Sequence, residues 1–171
     1  MAGQPTSRRG ASALVSLALL LGAGCVSADL SGDAKVAGEV ADCLPPRTPA
    51  PSVVARAIWF PNADGFETAD ETGMGHLSGV LALAGGRLWF MTWDDTVRQY
   101  SMRHVVEVLP AAKVEVAHLG SASMLVVESR NKSFDSYELM HGQELGSDTR
   151  ATQDLCDRIQ ALRLRNPDPD P

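Results

Sequence analysis

Four histidines, a scattering of serines and one dense group of carboxylates are the residues of this chain that could carry acid–base, nucleophilic or metal chemistry. His76, His104, His118 and His141 lie far apart. None has the H-x₃-H or H-E-x-x-H spacing that turns two imidazoles toward one metal ion. Ser101, Ser121, Ser123 and Ser133 stand outside any G-x-S-x-G context, the strained strand-to-helix turn that exposes a nucleophilic hydroxyl. Asp94 and Asp95 are adjacent carboxylates, but they follow an apolar run and read as a turn. Asp64, Glu67, Asp70 and Glu71 crowd the stretch 61–76 and have oxygens suited to Ca²⁺. Their spacing is not that of an EF-hand loop, and loop carboxylates are ordinarily just solvated. An enzyme reading would have to call on Asp94, His104 and His118, which share no motif. The chain is therefore read as non-catalytic, with no cofactor and no metal site.

The three cysteines, Cys25, Cys43 and Cys156, are more informative. Arg8 and Arg9 precede an apolar run over 11–21, and Gly22, Ala23, Gly24 and Cys25 follow. That is the positive, apolar, small-residue order of an export signal. The run falls short of the roughly 20 apolar residues that span a bilayer. Ending as it does in Ala23-Gly24-Cys25, the segment resembles the lipobox of a bacterial lipoprotein, although Gly22 stands where that family usually has Leu. The resemblance implies cleavage before Cys25, acyl chains on its sulfur, and a membrane held through them. Val26, in place of the Asp that retains such proteins in the inner membrane, implies the outer membrane facing the periplasm. The competing cleavage is after Val26-Ser27-Ala28, which would release a plain secreted protein. Ser7-Arg8-Arg9 hints at a twin-arginine signal, but Gly10, Ala11 and Ser12 replace the apolar residues such a signal needs.

If Cys25 carries lipid, Cys43 and Cys156 are left as a possible pair in an oxidising envelope. A bridge closing so long a loop would be worth about 4 to 5 kcal/mol in the chain-entropy model. The other reading is two free thiols, one buried on a helix. The formal charge is −6, and removing Arg8 and Arg9 with the leader takes it to −8. So acidic a chain, without a cluster of Lys and Arg, excludes nucleic acid as an electrostatic partner.

Residues 25–51 read as a tether that ends in Pro45, Pro46, Pro49 and Pro51, a semi-rigid spacer. Residues 166–171, Asn-Pro-Asp-Pro-Asp-Pro, read as a disordered tail. One domain lies between, over 52–165. Its apolar runs predict strands at 53–60, 77–84, 87–93, 96–102, 113–119, 124–128 and 134–140. Gly85-Gly86 joins the second and third as a tight hairpin. Its register puts Leu81, Leu83, Leu88 and Phe90 on a core face, and Val80, Ala82, Trp89 and Met91 on the other. Trp93 shares the parity of Trp89 and Met91. These three form a candidate partner surface unless the helix or the tether covers them. Ser147, Asp148 and Thr149 are candidate caps for a C-terminal helix whose apolar stripe is Ala151, Leu155, Ile159 and Leu162. The expected fold is mainly β: a curved, partly open seven-stranded sheet capped by that helix.

Gly79-Val-Leu-Ala-Leu-Ala-Gly-Gly-Arg-Leu-Trp-Phe90 resembles the "G-x-L-x-L-T-x-x-R-L-x-F" hairpin of the GRAM-type branch of pleckstrin-homology-like domains. Val105-Val-Glu-Val108 stands where that family has an I-x-x-V segment. Ala84 replaces the usual Thr. The resemblance implies a pleckstrin-homology-like domain over about 52–164. Its phosphoinositide-binding members grip phosphates with basic residues in the first β–β loop. The matching stretch here, 61–76, has no Lys or Arg, so no phosphoinositide partner is implied. The function expected is a binding or scaffolding module for a protein partner, the alternative being a carrier of a small ligand or lipid.

Overall fold

The computed structural model describes residues 34–61, 75–141 and 146–166. The signal segment with Cys25, the acidic stretch 62–74 and the tail 167–171 lie outside the described residues. The element order is α1 (Ala34–Cys43), β1 (Val53–Pro61), β2 (Leu77–Ala84), β3 (Arg87–Asp94), β4 (Gln99–Glu107), β5 (Lys113–Leu119), β6 (Ala122–Glu128), β7 (Phe134–Leu139) and α2 (Thr149–Arg165). The seven strands form one open antiparallel sheet in the order β4-β3-β2-β1-β7-β6-β5. The fold is thus mainly β with a C-terminal helix, as the apolar patterning requires.

A flat sheet of seven strands would hold its two edges roughly 29 Å apart, at about 4.8 Å per ladder. Here His104 of edge strand β4 lies 3.1 Å from Asp135 of β7, four ladders away in the strand order. The sheet must therefore curl. Two local features allow it. A Cβ at Gly79 would collide with the carbonyl of Met91, so only glycine lets β2 and β3 approach there. Opposite, the β3–β4 register shifts between Phe90 and Met91 and leaves Arg103 bulged between Met102 and His104. A bulge of this kind bends its strand and increases its twist. The strand expected over 96–102 stops at this point, and the segment Val105–Val108 stands apart from it. In fact Met102 and Val105 both lie in β4, and the bulge is why the alternation appears interrupted.

The concave face holds the main core. Ala55, Leu81, Leu83, Leu88, Phe90, Leu125, Tyr137 and Leu139 meet Leu155, Cys156 and Ile159 of α2. Asp148 caps that helix, its Oδ1 accepting from the Ala151 N–H at 2.9 Å. Arg163 at its far end donates from Nη2 to the Ala111 carbonyl at 2.6 Å.

The convex face is also buried, and its cover comes from a segment read as a tether. Val36, Val40, Cys43 and Leu44, at the spacing of one helical stripe, pack on Val54, Val80, Ala82, Ala84, Trp89 and Met91. The proline-rich stretch after α1 is pinned rather than free. Thr48 and Pro49 sit against Gly85 of the β2–β3 turn, and Ser52 donates from both N and Oγ to the Leu83 carbonyl. The packed unit therefore includes α1 as well as the domain from Ser52 onward. Val40 is fully buried. Val40→Ala should lower unfolding free energy by about 2 kcal/mol in urea denaturation. A change near zero would return α1 to the role of a spacer.

Candidate functional site

Of the three residues proposed for a partner surface, Trp89 and Met91 are buried beneath α1. The Trp89 indole is also committed, donating from Nε1 to the Ala84 carbonyl at 3.0 Å. Only Trp93 emerges, at 41% exposure. The sequence assigned the shared parity correctly, but it left open what covers that face. The exposed apolar surface is displaced toward the tip of the β3–β4 hairpin. Trp93 faces Tyr100 across the ladder, and Met91 faces Met102, so Trp93, Tyr100 and Met102 share one face. The Trp93 and Tyr100 rings meet edge-on with centroids 5.2 Å apart. Met102 is 41% exposed and Val97, in the turn, 55%. The turn is held by Asp94, whose Oδ1 accepts from the amides of Thr96 at 2.9 Å and Val97 at 3.4 Å. Cys43, the last residue of α1, donates from Sγ to the Tyr100 carbonyl at 2.9 Å, so the helix cover ends beside this patch.

A second group of polar side chains closes the curl. Trp59 of β1 stacks on His104 of β4, with ring centroids 4.4 Å apart. The Trp59 Nε1–H donates to Asp135 Oδ1 at 2.9 Å, and His104 Nε2 lies 3.1 Å from the same oxygen. The His104 contact is an ion-pair distance off the line of a good hydrogen bond. Phe90 and Tyr137 pack behind. Tyr137 is fully buried with its hydroxyl unpaired. Burial, and then the Asp135 charge, push its phenol well above the ordinary value of 10.0. A cavity of about 410 Å³, lined by His104 and Asp135 among others, opens at the seam. Asp135 was not singled out from sequence. The available signal is a lone carboxylate at a core-facing position of β7, in step with Tyr137 and Leu139. One carboxylate oxygen thus ties β1, β4 and β7 together.

The residues an enzyme reading would need are not brought together. Asp94 holds a turn, His104 sits at the seam, and His118 lies on β5. The His118 Nδ1 is 3.0 Å from Ser123 Oγ, a distance suited to a nucleophile and its base. But Ser123 is 2% exposed, and its hydroxyl also meets Thr149 Oγ1 at 2.9 Å. With Ser147 Oγ accepting from the Ser123 amide, this network fastens the β5–β6 hairpin to the start of α2. His141 Nδ1 lies 3.3 Å from Asp148 Oδ2, beside the helix cap. Among the described residues, no three His, Cys, Asp or Glu side chains converge on a point that could hold a metal ion. No described helix is long and apolar enough to cross a membrane.

The cysteine pair is corrected. Cys43 and Cys156 are both free. Cys43 packs in the convex cluster and Cys156 in the concave core, so the sheet itself stands between them. Burial is the leading cause that raises both thiols above their ordinary value of 9.0. Raised thiol and phenol values in the folded state favour the neutral forms. Their contribution to stability is complete below the unfolded values and is lost as pH rises past them.

Two outcomes follow. The thermal midpoint should fall progressively above about pH 9, read by circular dichroism, and Cys156 should resist alkylation until the protein unfolds. A mass gain of two hydrogens on reduction would restore the disulfide. Asp135→Ala, which strands the Trp59 donor, should cost about 1–3 kcal/mol in chemical denaturation, whereas Asp135→Asn keeps an acceptor and should cost less. No protein-family model matches this chain, and no curated protein matches it.

Proposed function

We propose that this protein is a lipid-anchored component of a bacterial cell envelope. In this reading its pleckstrin-homology-like, GRAM-like domain is a non-catalytic module that binds a protein partner. The observation that carries the proposal is the patch of Trp93, Val97 and Met102 with Tyr100. These apolar residues stand exposed at a hairpin tip while α1 covers the rest of the same face. Trp, Tyr and Met are the residue types enriched at the centres of protein interfaces. Seven strands followed by a C-terminal helix support this reading. The anchor reading rests on the leader and Cys25, and Val26 after it supports an outer-membrane address facing the periplasm.

Two measurements test the two halves. Intact mass of protein taken from membranes should show a chain that begins at an acylated Cys25. A chain that begins at Asp29 would instead mean cleavage after Ala28 and a plain secreted protein. For the surface, a photo-crosslinking amino acid at Val97 should capture a protein in the living envelope. Trp93→Ala should weaken that association by about 2 kcal/mol, roughly thirtyfold, as expected of an interface hot spot. Unchanged capture by Trp93→Ala with Met102→Ala would rule this surface out.

A further inference from the structure

The convex side of the β2–β4 half of the sheet carries one continuous apolar strip, and α1 occupies only part of it. Val80 and Ala82 of β2 lie beside Met91 and Trp89 of β3, which lie beside Met102 and Val105 of β4. Trp93 and Tyr100 form the next row toward the hairpin tip. The inner part of the strip is a seat for a helix. Val36, Val40 and Cys43 of α1 fall on it at spacings of four and three residues. The helix stops at Cys43. Beyond it Trp93 and Met102 emerge, each 41% exposed. The exposed patch is therefore the continuation of a surface that already accepts a helical stripe.

A segment of another chain engages a sheet in two common ways, as a helix laid on an apolar face or as a strand added at an edge. The outer edge of β4 is a poor template for a strand. The Tyr100 carbonyl is taken by the Cys43 thiol at 2.9 Å, and the bulge at Arg103 breaks the regular spacing of the strand. Bulges are one of the devices that protect sheet edges from added strands. The face, in contrast, is preorganised. Trp93 is held edge-on against Tyr100, and Asp94 fixes the turn through the amides of Thr96 and Val97. Little side-chain or loop freedom is left to lose on binding.

We propose that the partner engages this patch with an amphipathic α-helix, whose apolar stripe lies across Trp93 and Met102 beyond the end of α1, with Val97 at its rim. This rests on the reading of the patch as a protein-binding surface and adds the form of the segment bound.

The test places a photo-crosslinking amino acid at Val97 and at Met102 in turn, in the full-length protein in its own envelope. The captured residues are then mapped by mass spectrometry of the crosslinked peptides. Both positions should capture one partner segment, at residues three, four or seven apart. Proline placed between two captured residues of that segment should reduce capture at least about tenfold, and alanine at the same place should not. Captured residues two apart, the period of a strand, would overturn the helix, as would indifference to the proline. Capture of this same chain would make the occupant a second copy and overturn it too. Each of those outcomes leaves the patch as a protein-binding surface. No capture from either position removes that reading, and the helix with it.

Discussion

The structure depends on one strand holding two halves of the sheet together. β1 pairs with β2 on one side and with β7, the last strand of the domain, on the other. The β1–β7 ladder joins residues at opposite ends of the domain sequence, from Ala57 opposite Leu139 to Pro61 opposite Asp135. Without that ladder, β1–β4 and β5–β7 would be two separate meanders, with β1 and β7 as additional bare edges. Non-local pairing of this kind must overcome loop-closure entropy before its contacts form. The side chains that accompany it are accordingly strong ones. Trp59 and Asp135 hydrogen-bond beside the ladder, and His104 reaches the same carboxylate from the far edge strand.

Curling the sheet around that ladder makes its two faces different. The concave face closes on itself and needs only α2 to seal it. The convex face cannot close, and an apolar convex face must be covered from outside. Val54, Val80, Ala82, Trp89 and Met91 therefore require α1, and α1 is long enough to cover only part of the hairpin. Trp93, Val97 and Met102 are what remains. The same division keeps Cys43 and Cys156 apart, each serving as a small apolar residue in its own cluster.

Much of the fold was legible because its strands alternate cleanly. Leu81, Leu83, Leu88 and Phe90 were assignable to one face from Gly85-Gly86 and a two-residue turn, and they are core. The Asp148 cap and the Leu155–Ile159 stripe were legible for the same reason: local hydrogen bonding and helical periodicity act over a few residues. α1 was harder. Val36, Val40 and Cys43 do form a stripe, but Gly38 weakens helix propensity, and the prolines that follow suggest a spacer. The bulge at Arg103 hid the continuity of β4 because it shifts the parity of everything after it. Asp135 gave no motif, since its partners Trp59 and His104 lie on elements far away in sequence.

The amino-acid sequence alone thus determined which segments become strands, which side of each strand is apolar, and where the last helix starts and stops. These are consequences of periods of two and 3.6 residues and of caps that bond across one turn. Only the tertiary structure decided which apolar faces end up covered, which cysteines can meet, and which rings gather on one carboxylate. Those outcomes depend on how sharply the sheet curls and on where α1 stops. Both are set by side chains and a bulge brought together from distant parts of the chain, and no local pattern encodes them.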